Sequence, residues 1–271
     1  MAALVSWRNY IDTASLVFDG GSVPDPNFPL ENVKRRGLAD EFRLSFVSSS
    51  IITIYPTGVG LHPVNVVGLL GMARAPATGH FTGTFGLQSL EGGVWVSIET
   101  ISVTDYSIPS LPANVFFVIP GGLTGAFRIS MAGHCMGRLW AGPALFLPDG
   151  IDAGWQMGFR DSGTLDATAG QQWVESPGAR TRVLNLPLEG ARDTETTWGF
   201  ADGSGLVTNP MSLNALQLEA GTTGEVIAIA RTSTQQWIRR CAIYGHIEQP
   251  FAIGHKAGPY WGTSLTVVEE R

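Results

Sequence analysis

Four aspartates and three tryptophans crowd one part of the sequence. Asp149, Asp152, Asp161 and Asp166 lie among and beside Trp140, Trp155 and Trp173. Two carboxylates flanking a glycosidic bond could cleave it, one as acid and one as base or nucleophile. Without such a pair the same residue types suit non-catalytic sugar contact. Indole faces cover the apolar side of a sugar ring, and carboxylates accept its hydroxyl protons. The contact set is then Trp140, Trp155, Trp173, Asp149 and Asp161. A plainer reading uses the same letters: Asp in "PDG" and "RDSG" makes turns, and Trp fills a small core. Spacing alone does not separate these readings.

Other chemistry is thinner. "GHIEQPFAIGH" sets His246 and Glu248 at i and i+2, on one face of a strand. Zinc would need a further ligand nearby, and His255 lies beyond Pro250, so a polar strand face is expected and no metal site. "DGGSVPDPN" offers Asp19, Asp25 and Asn27 without the ordered spacing of a calcium loop, so a turn is expected. The phosphate-cradling GxxxxGKS/T and GxGxxG patterns and the hydrolase patterns GxSxG, HExxH and SxxK do not occur. No catalytic residue and no cofactor is expected. Cys135 and Cys241 have no CxxC neighbour and read as buried thiols, with a disulfide between them left open.

The elements that must carry these residues read as strands. "EFRLSF" (41–46) and "SIITIY" (50–55) alternate, and "VNVVGLLGMAR" (64–74) is a buried-strand candidate. "HFTGTFGLQ", "GVWVSIETISV", "NVFFVIP" and "GAFRISMAG" follow, with Gly or Pro at nearly every join. Short strands at this spacing predict a β-sandwich over residues 1–133. Residues 134–271 predict a second β-sandwich or barrel, with "TRVLNLPLEG", "EVIAIAR" and "SLTVVEE" as strands and one flanking α-helix. That helix is expected near Pro210 to Ala220, capped by Asn209, with Met211, Ala215 and Leu218 on its buried face. The fold class is thus mainly β, in two modules. Gly137 to Gly163 is expected to cross between them, with Trp140 and Trp155 packed at the joint and the aspartates closing turns.

Composition narrows the partners. Charged residues make up 15% of the 271 residues, against roughly 25% in ordinary soluble domains. A surface so poor in charge suits a chain covered by other chains. The net charge of −6 offers no basic footprint for nucleic acid, and Lys34-Arg35-Arg36 is followed at once by Asp40 and Glu41. The apolar stretch 51–72 is broken by Pro56, His62 and Pro63 and does not read as a membrane helix.

Several stretches resemble bacteriophage virion proteins. "PNFPLENVKRRGLADEFRL" (26–44) followed by "VNVVGLLGMAR" resembles the start of their galactose-binding-like jelly rolls. "GRLWAGPAL", "GWQMGFRDSG", "GQQW" and "RTRVLNLPL" are similar to a segment of phage tail-tip proteins. "EVIAIAR", "RRCAIYGHIEQPFAI" and "SLTVVEE" resemble the close of β-sandwich-plus-helix domains in distal tail and baseplate proteins. The resemblance implies a non-enzymatic structural component of a tail tip or baseplate, made in the host cytoplasm and located in the virion. It implies a homo-oligomeric ring, hexameric or trimeric, that links the tail to the host-recognition apparatus beside other tail proteins. The alternative expectation is a carbohydrate-binding module for host surface polysaccharide.

Overall fold

A computed structural model describes residues 3–19, 24–39, 41–44, 49–57, 62–72, 83–103, 113–132, 135–147, 154–161, 164–167, 173–176, 180–192, 200–201, 205–206, 211–258 and 260–270. The fold is mainly β, built from antiparallel sheets. A five-stranded sheet runs Ser15–Asp19, Ser49–Tyr55, Phe127–Ala132, Gly83–Glu91, Val94–Val103. It faces a three-stranded sheet of Arg138–Gly142, Val64–Met72 and Ala113–Leu123. Between them Ile52, Ile54, Phe85, Leu87, Phe127 and Ile129 meet Val67, Leu69, Val115, Phe117 and Leu139 in one core.

The three-stranded sheet is a middle layer, and its sequence shows why. Side chains of a strand alternate between faces. Val67 and Leu69 enter the first core, while Val66 and Leu70 enter a second core with Phe116 and Trp140. With both faces covered, "VNVVGLLGM" is apolar almost throughout rather than alternating. Gly68 sits across from Trp140 on one side and Phe116 on the other. A Cβ there would already meet Phe116 and Ile227 at 3.4 and 3.3 Å, so the small residue leaves room for the large ones.

The second core lies against an eight-stranded sheet. Its order is Leu145–Leu147, Ala3–Ser6, Glu225–Ile229, Ala242–Ile247, Tyr260–Glu269, Arg180–Arg192, Gln156–Asp161, with Gly254–Ala257 paired to Tyr260–Glu269. Two strands lie across the boundary read at residue 133. Ala3–Ser6 pairs inside the sheet of later residues. Arg138–Gly142 pairs with Val64–Met72 in the first sandwich. The two sandwiches are thereby tied by exchanged strands rather than joined by one linker.

A buried ionic network fastens this joint. Arg138 is fully buried and donates to Glu225 at 2.7 Å and to Asp12 at 2.8 Å. Glu225 also accepts from the Gly37 amide at 3.0 Å and from the Tyr244 hydroxyl. Burial opposes the charge on Arg138, but Asp12 and Glu225 outweigh it and hold the guanidinium pKa above its ordinary value. Burial, with Glu225 beside it, pushes the Tyr244 phenol far up. The chain also closes tightly here: a Cβ on Gly142 would lie 1.9 Å from the Arg8 carbonyl oxygen, so only glycine fits.

The helical part differs from the sequence expectation. Among the described residues there are two short α-helices, α1 (Leu213–Glu219) and α2 (Gln235–Cys241), where the sequence predicts one. Ser212 caps α1 by accepting from the Ala215 amide, so that helix starts later than Pro210; Asn209 and Pro210 lie outside the described residues. Its buried residues are Leu213, Ala215 and Leu216, whereas Leu218 is 69% exposed. The buried face is set instead by Leu213, Leu216 and Ala220 at i, i+3 and i+7, with Ala215 at its margin, which turns Leu218 to the opposite side; Met211 precedes the helix. Thr234 caps α2 in the same way, accepting from the Trp237 amide.

Candidate functional site

Gln156–Asp161 is the outermost strand at one end of the eight-stranded sheet and, among the described residues, pairs on one side only, with Arg180–Arg192. A groove of about 410 Å3 runs along it, lined by Gln156, Met157, Gly158, Phe159, Arg160, Val183 and Asn185. Clefts for small ligands begin at roughly 300 Å3, so a sugar unit or two fits this volume.

Alternation divides the lining. Met157 stands opposite Leu184 and packs on the core, which anchors the strand. Phe159 shares that face and is 60% exposed, the most exposed aromatic among the described residues. Gln156, Gly158 and Arg160 take the other face, with Asn185 directly across from Gln156. On an interior strand these rows would be separated by the sheet. On an outermost strand a ligand lying across the edge meets both. At Gly158 an added Cβ would find nothing within 4 Å, so the groove is open above it.

Neighbouring contacts orient the polar groups. The Ser264 hydroxyl donates to Asn185 Oδ1 at 2.9 Å, leaving the amide NH2 without a partner among the described residues. Arg160 pairs with Glu248 across the outer sheet face, with half of its side chain still exposed. Trp155, the residue before this strand, is half-buried and meets Trp237 of α2 edge-on, ring centroids 6.3 Å apart. The Arg231 guanidinium lies 4.3 Å from the Trp237 ring centre, and that of Arg240 5.9 Å.

The sugar-contact residues expected from the sequence are dispersed. Trp140 is 1% exposed, donates from its indole to the Ser6 hydroxyl at 3.1 Å and packs edge-on against Tyr244. It fills the joint between the sandwiches and is closed to ligand. Trp155 borders the groove strand without lining it. Asp161 is exposed at the far end of that strand, opposite Arg180. Trp173 stands in a two-stranded ribbon opposite Ala167, away from the eight-stranded sheet's pairing. Asp149 and Asp152 lie outside the described residues. Gln156, Phe159, Arg160 and Asn185 carry no sequence motif, although "QMGFRD" alternates directly after Trp155.

The weaker candidates resolve into local structure. His246 faces Glu270 at 3.7 Å, Glu248 takes Arg160, and His255 packs on Trp261 while its Nε2 meets the Gly258 carbonyl at 2.8 Å. Among the described residues no three His, Cys, Asp or Glu gather as a metal site. Asp25 accepts from the Asn27 amide at 2.9 Å, a turn, and Asp19 takes the Thr53 hydroxyl. Cys135 and Cys241 are both buried free thiols, and burial raises the Cys241 pKa.

No protein-family model and no curated protein matches the chain. Solved structures are similar over about half of it. One is a family 32 carbohydrate-binding module from C. perfringens NanJ in complex with galactose, at 7% identity and a TM-score of 0.37, covering 51% of this chain and 98% of that one. Another is SpGH29, at 10% identity and a TM-score of 0.36, covering 50% of this chain and 28% of that one.

Proposed function

We propose that the chain is a non-catalytic carbohydrate-binding protein whose site is the edge groove along Gln156–Asp161. The observation that carries this reading is the 60% exposed Phe159 in a groove shared with Gln156, Arg160 and Asn185. A sugar ring is apolar on its C–H faces and bristles with hydroxyls at its rim. Phe159 supplies a flat apolar surface at little conformational cost. Gln156 and Asn185 each bring an acceptor and two donors, and Arg160 brings charge-assisted donors. The groove is open at Gly158, where the ring would sit.

The glycine gives a clean test. Gly158→Trp fills the groove but touches no existing atom at its Cβ, so the fold is retained. Binding is measured by affinity electrophoresis through a panel of soluble polysaccharides, neutral and acidic. The wild type is expected to be retarded by at least one of them, and Gly158→Trp to lose about tenfold or more in affinity for it. Retardation by none of the panel, or equal retardation of a folded Gly158→Trp, overturns the proposal.

A second reading, structural assembly in a phage tail tip or baseplate, has one observation in its favour. Val94–Val103 is the outermost strand of the five-stranded sheet, with Val94, Val96 and Ile98 at 65%, 39% and 38% exposure. α2 lies against the later part of this strand, and an exposed apolar stretch on an edge strand, here Val94–Ile98, is commonly covered by another chain. A ring of copies would do so, and sedimentation at rising concentration tests it. Discrete oligomers that Val96→Lys dissociates support it, and a strict monomer counts against it.

A further inference from the structure

Arg231, Arg239 and Arg240 surround one end of α2, and no carboxylate of the described residues forms an ion pair with any of them. Five other arginines have carboxylate partners: Arg8 with Glu219, Arg43 with Glu41, Arg138 with Asp12 and Glu225, Arg160 with Glu248, Arg182 with Glu269; Arg128 instead bonds Gln88 and lies over Trp95. The three differ among themselves. Arg239 donates to the Ser102 carbonyl at 2.9 Å and so holds α2 against the edge of the five-stranded sheet. Arg231 and Arg240 instead flank Trp237, and among the described residues Arg231 spends only Nε, on the Ser233 hydroxyl at 3.0 Å. A guanidinium held near an indole keeps its rim of N–H groups available, in the fork geometry that fits a carboxylate or sulfate. Trp237 limits where these heads can go, which lowers the entropy lost when they grip an anion.

This cationic pair is continuous with the groove. Trp237 meets Trp155, and Trp155 leads directly into Gln156. We infer that the site takes an acidic saccharide. One neutral ring face lies over Phe159 and Gly158, and a carboxylate or sulfate further along the chain lies between Arg231 and Arg240. The inference rests on the carbohydrate-binding reading and adds to it the chemical class of the ligand. Net charge also bears on it: the chain carries −6 overall, so a polyanion would be repelled unless it met this local exception.

The test compares matched ligands. Affinity electrophoresis is run with dextran and carboxymethyl dextran, with galactan and polygalacturonate, and with single-stranded DNA of similar charge density. The double variant Arg231→Gln/Arg240→Gln is set beside the wild type, and Arg240→Gln alone, at an exposed position, serves should the double variant unfold. The acidic member of a pair is expected to bind about tenfold or more tightly than the neutral one. The variants should lose that margin while keeping affinity for neutral chains, and the margin should shrink as salt rises. Equal binding of neutral and acidic members, or a margin untouched by the variants, overturns the inference and leaves the carbohydrate reading standing. Binding to no saccharide overturns both. Tighter binding of DNA than of polygalacturonate overturns the acidic-saccharide assignment in favour of a nucleic-acid surface.

Discussion

Removing Glu225 should cost more stability than removing any exposed carboxylate, and the structure sets the size of the effect. The side chain of Arg138 is 0% exposed, and Glu225 is one of its two carboxylate partners. The other, Asp12, is 39% exposed and cannot alone compensate a guanidinium removed from water. Glu225→Ala also strips the acceptor from the Tyr244 hydroxyl and the Gly37 amide. Breaking a buried pair by deleting one partner costs about 3–5 kcal/mol. An unfolding entropy of roughly 2.1 cal/mol/K per residue makes each kcal/mol worth a little under ~2 °C in a chain of 271 residues. The expected fall in Tm is therefore about 5–9 °C by calorimetry. Glu41→Ala is the control. Its pair with Arg43 is solvent-exposed, so a shift of about 1 °C or less is expected. A Glu225→Ala protein that melts with the control would refute the view that this network holds the two sandwiches together.

Three further outcomes follow from local geometry. Acid should weaken the fold in two stages. Burial lowers the His62 pKa below its ordinary 6.5, and the hydrogen bond from Arg8 lowers that of Glu219 below 4.5. In both cases the unfolded chain binds more protons than the folded one, so stability falls as pH drops below about 6.5 and again below about 4.5. Urea midpoints across pH should show this, with the lower stage reduced in Arg8→Gln. Gly142→Ala should yield little folded protein, because the methyl would collide with the Arg8 backbone; a normally folded variant would contradict the close approach. Both thiols should react with a thiol reagent only after denaturation, and rapid reaction of either in the native protein would show that it is not buried.

The sequence carried the sheets well and the site poorly, for different physical reasons. Strand alternation survives in the letters: "TRVLNLPL" puts Leu184, Leu186 and Leu188 inward, and Arg180–Arg192 does so in the structure. Even Pro187 is consistent with this, lying two residues past the last partner of the edge strand, where pairing on that side has ended. Helices were harder, since seven residues give barely two turns of pattern. Trp140 and Phe159 show the limit most sharply. Each is an aromatic residue with one small neighbour, Ala141 after Trp140 and Gly158 before Phe159, and nothing in their spacing says that one is sealed in a joint and the other open to water. Both strands are last in their sheets, so the difference lies in how the sheets stack: Arg138–Gly142 is covered on both faces, while Phe159 on Gln156–Asp161 stays exposed. Stacking is a long-range property, set by pairings such as Ala3–Ser6 with Glu225–Ile229 that no local window contains.

The carbohydrate reading depends on where a ligand lands. Amide chemical shifts followed during titration with the tightest-binding polysaccharide fragment test this directly. The expected result is a cluster of perturbed amides over Gln156–Asp161 and Val183 to Asn185, absent in Gly158→Trp. Saturable binding that leaves those amides unmoved and perturbs a surface elsewhere would contradict it.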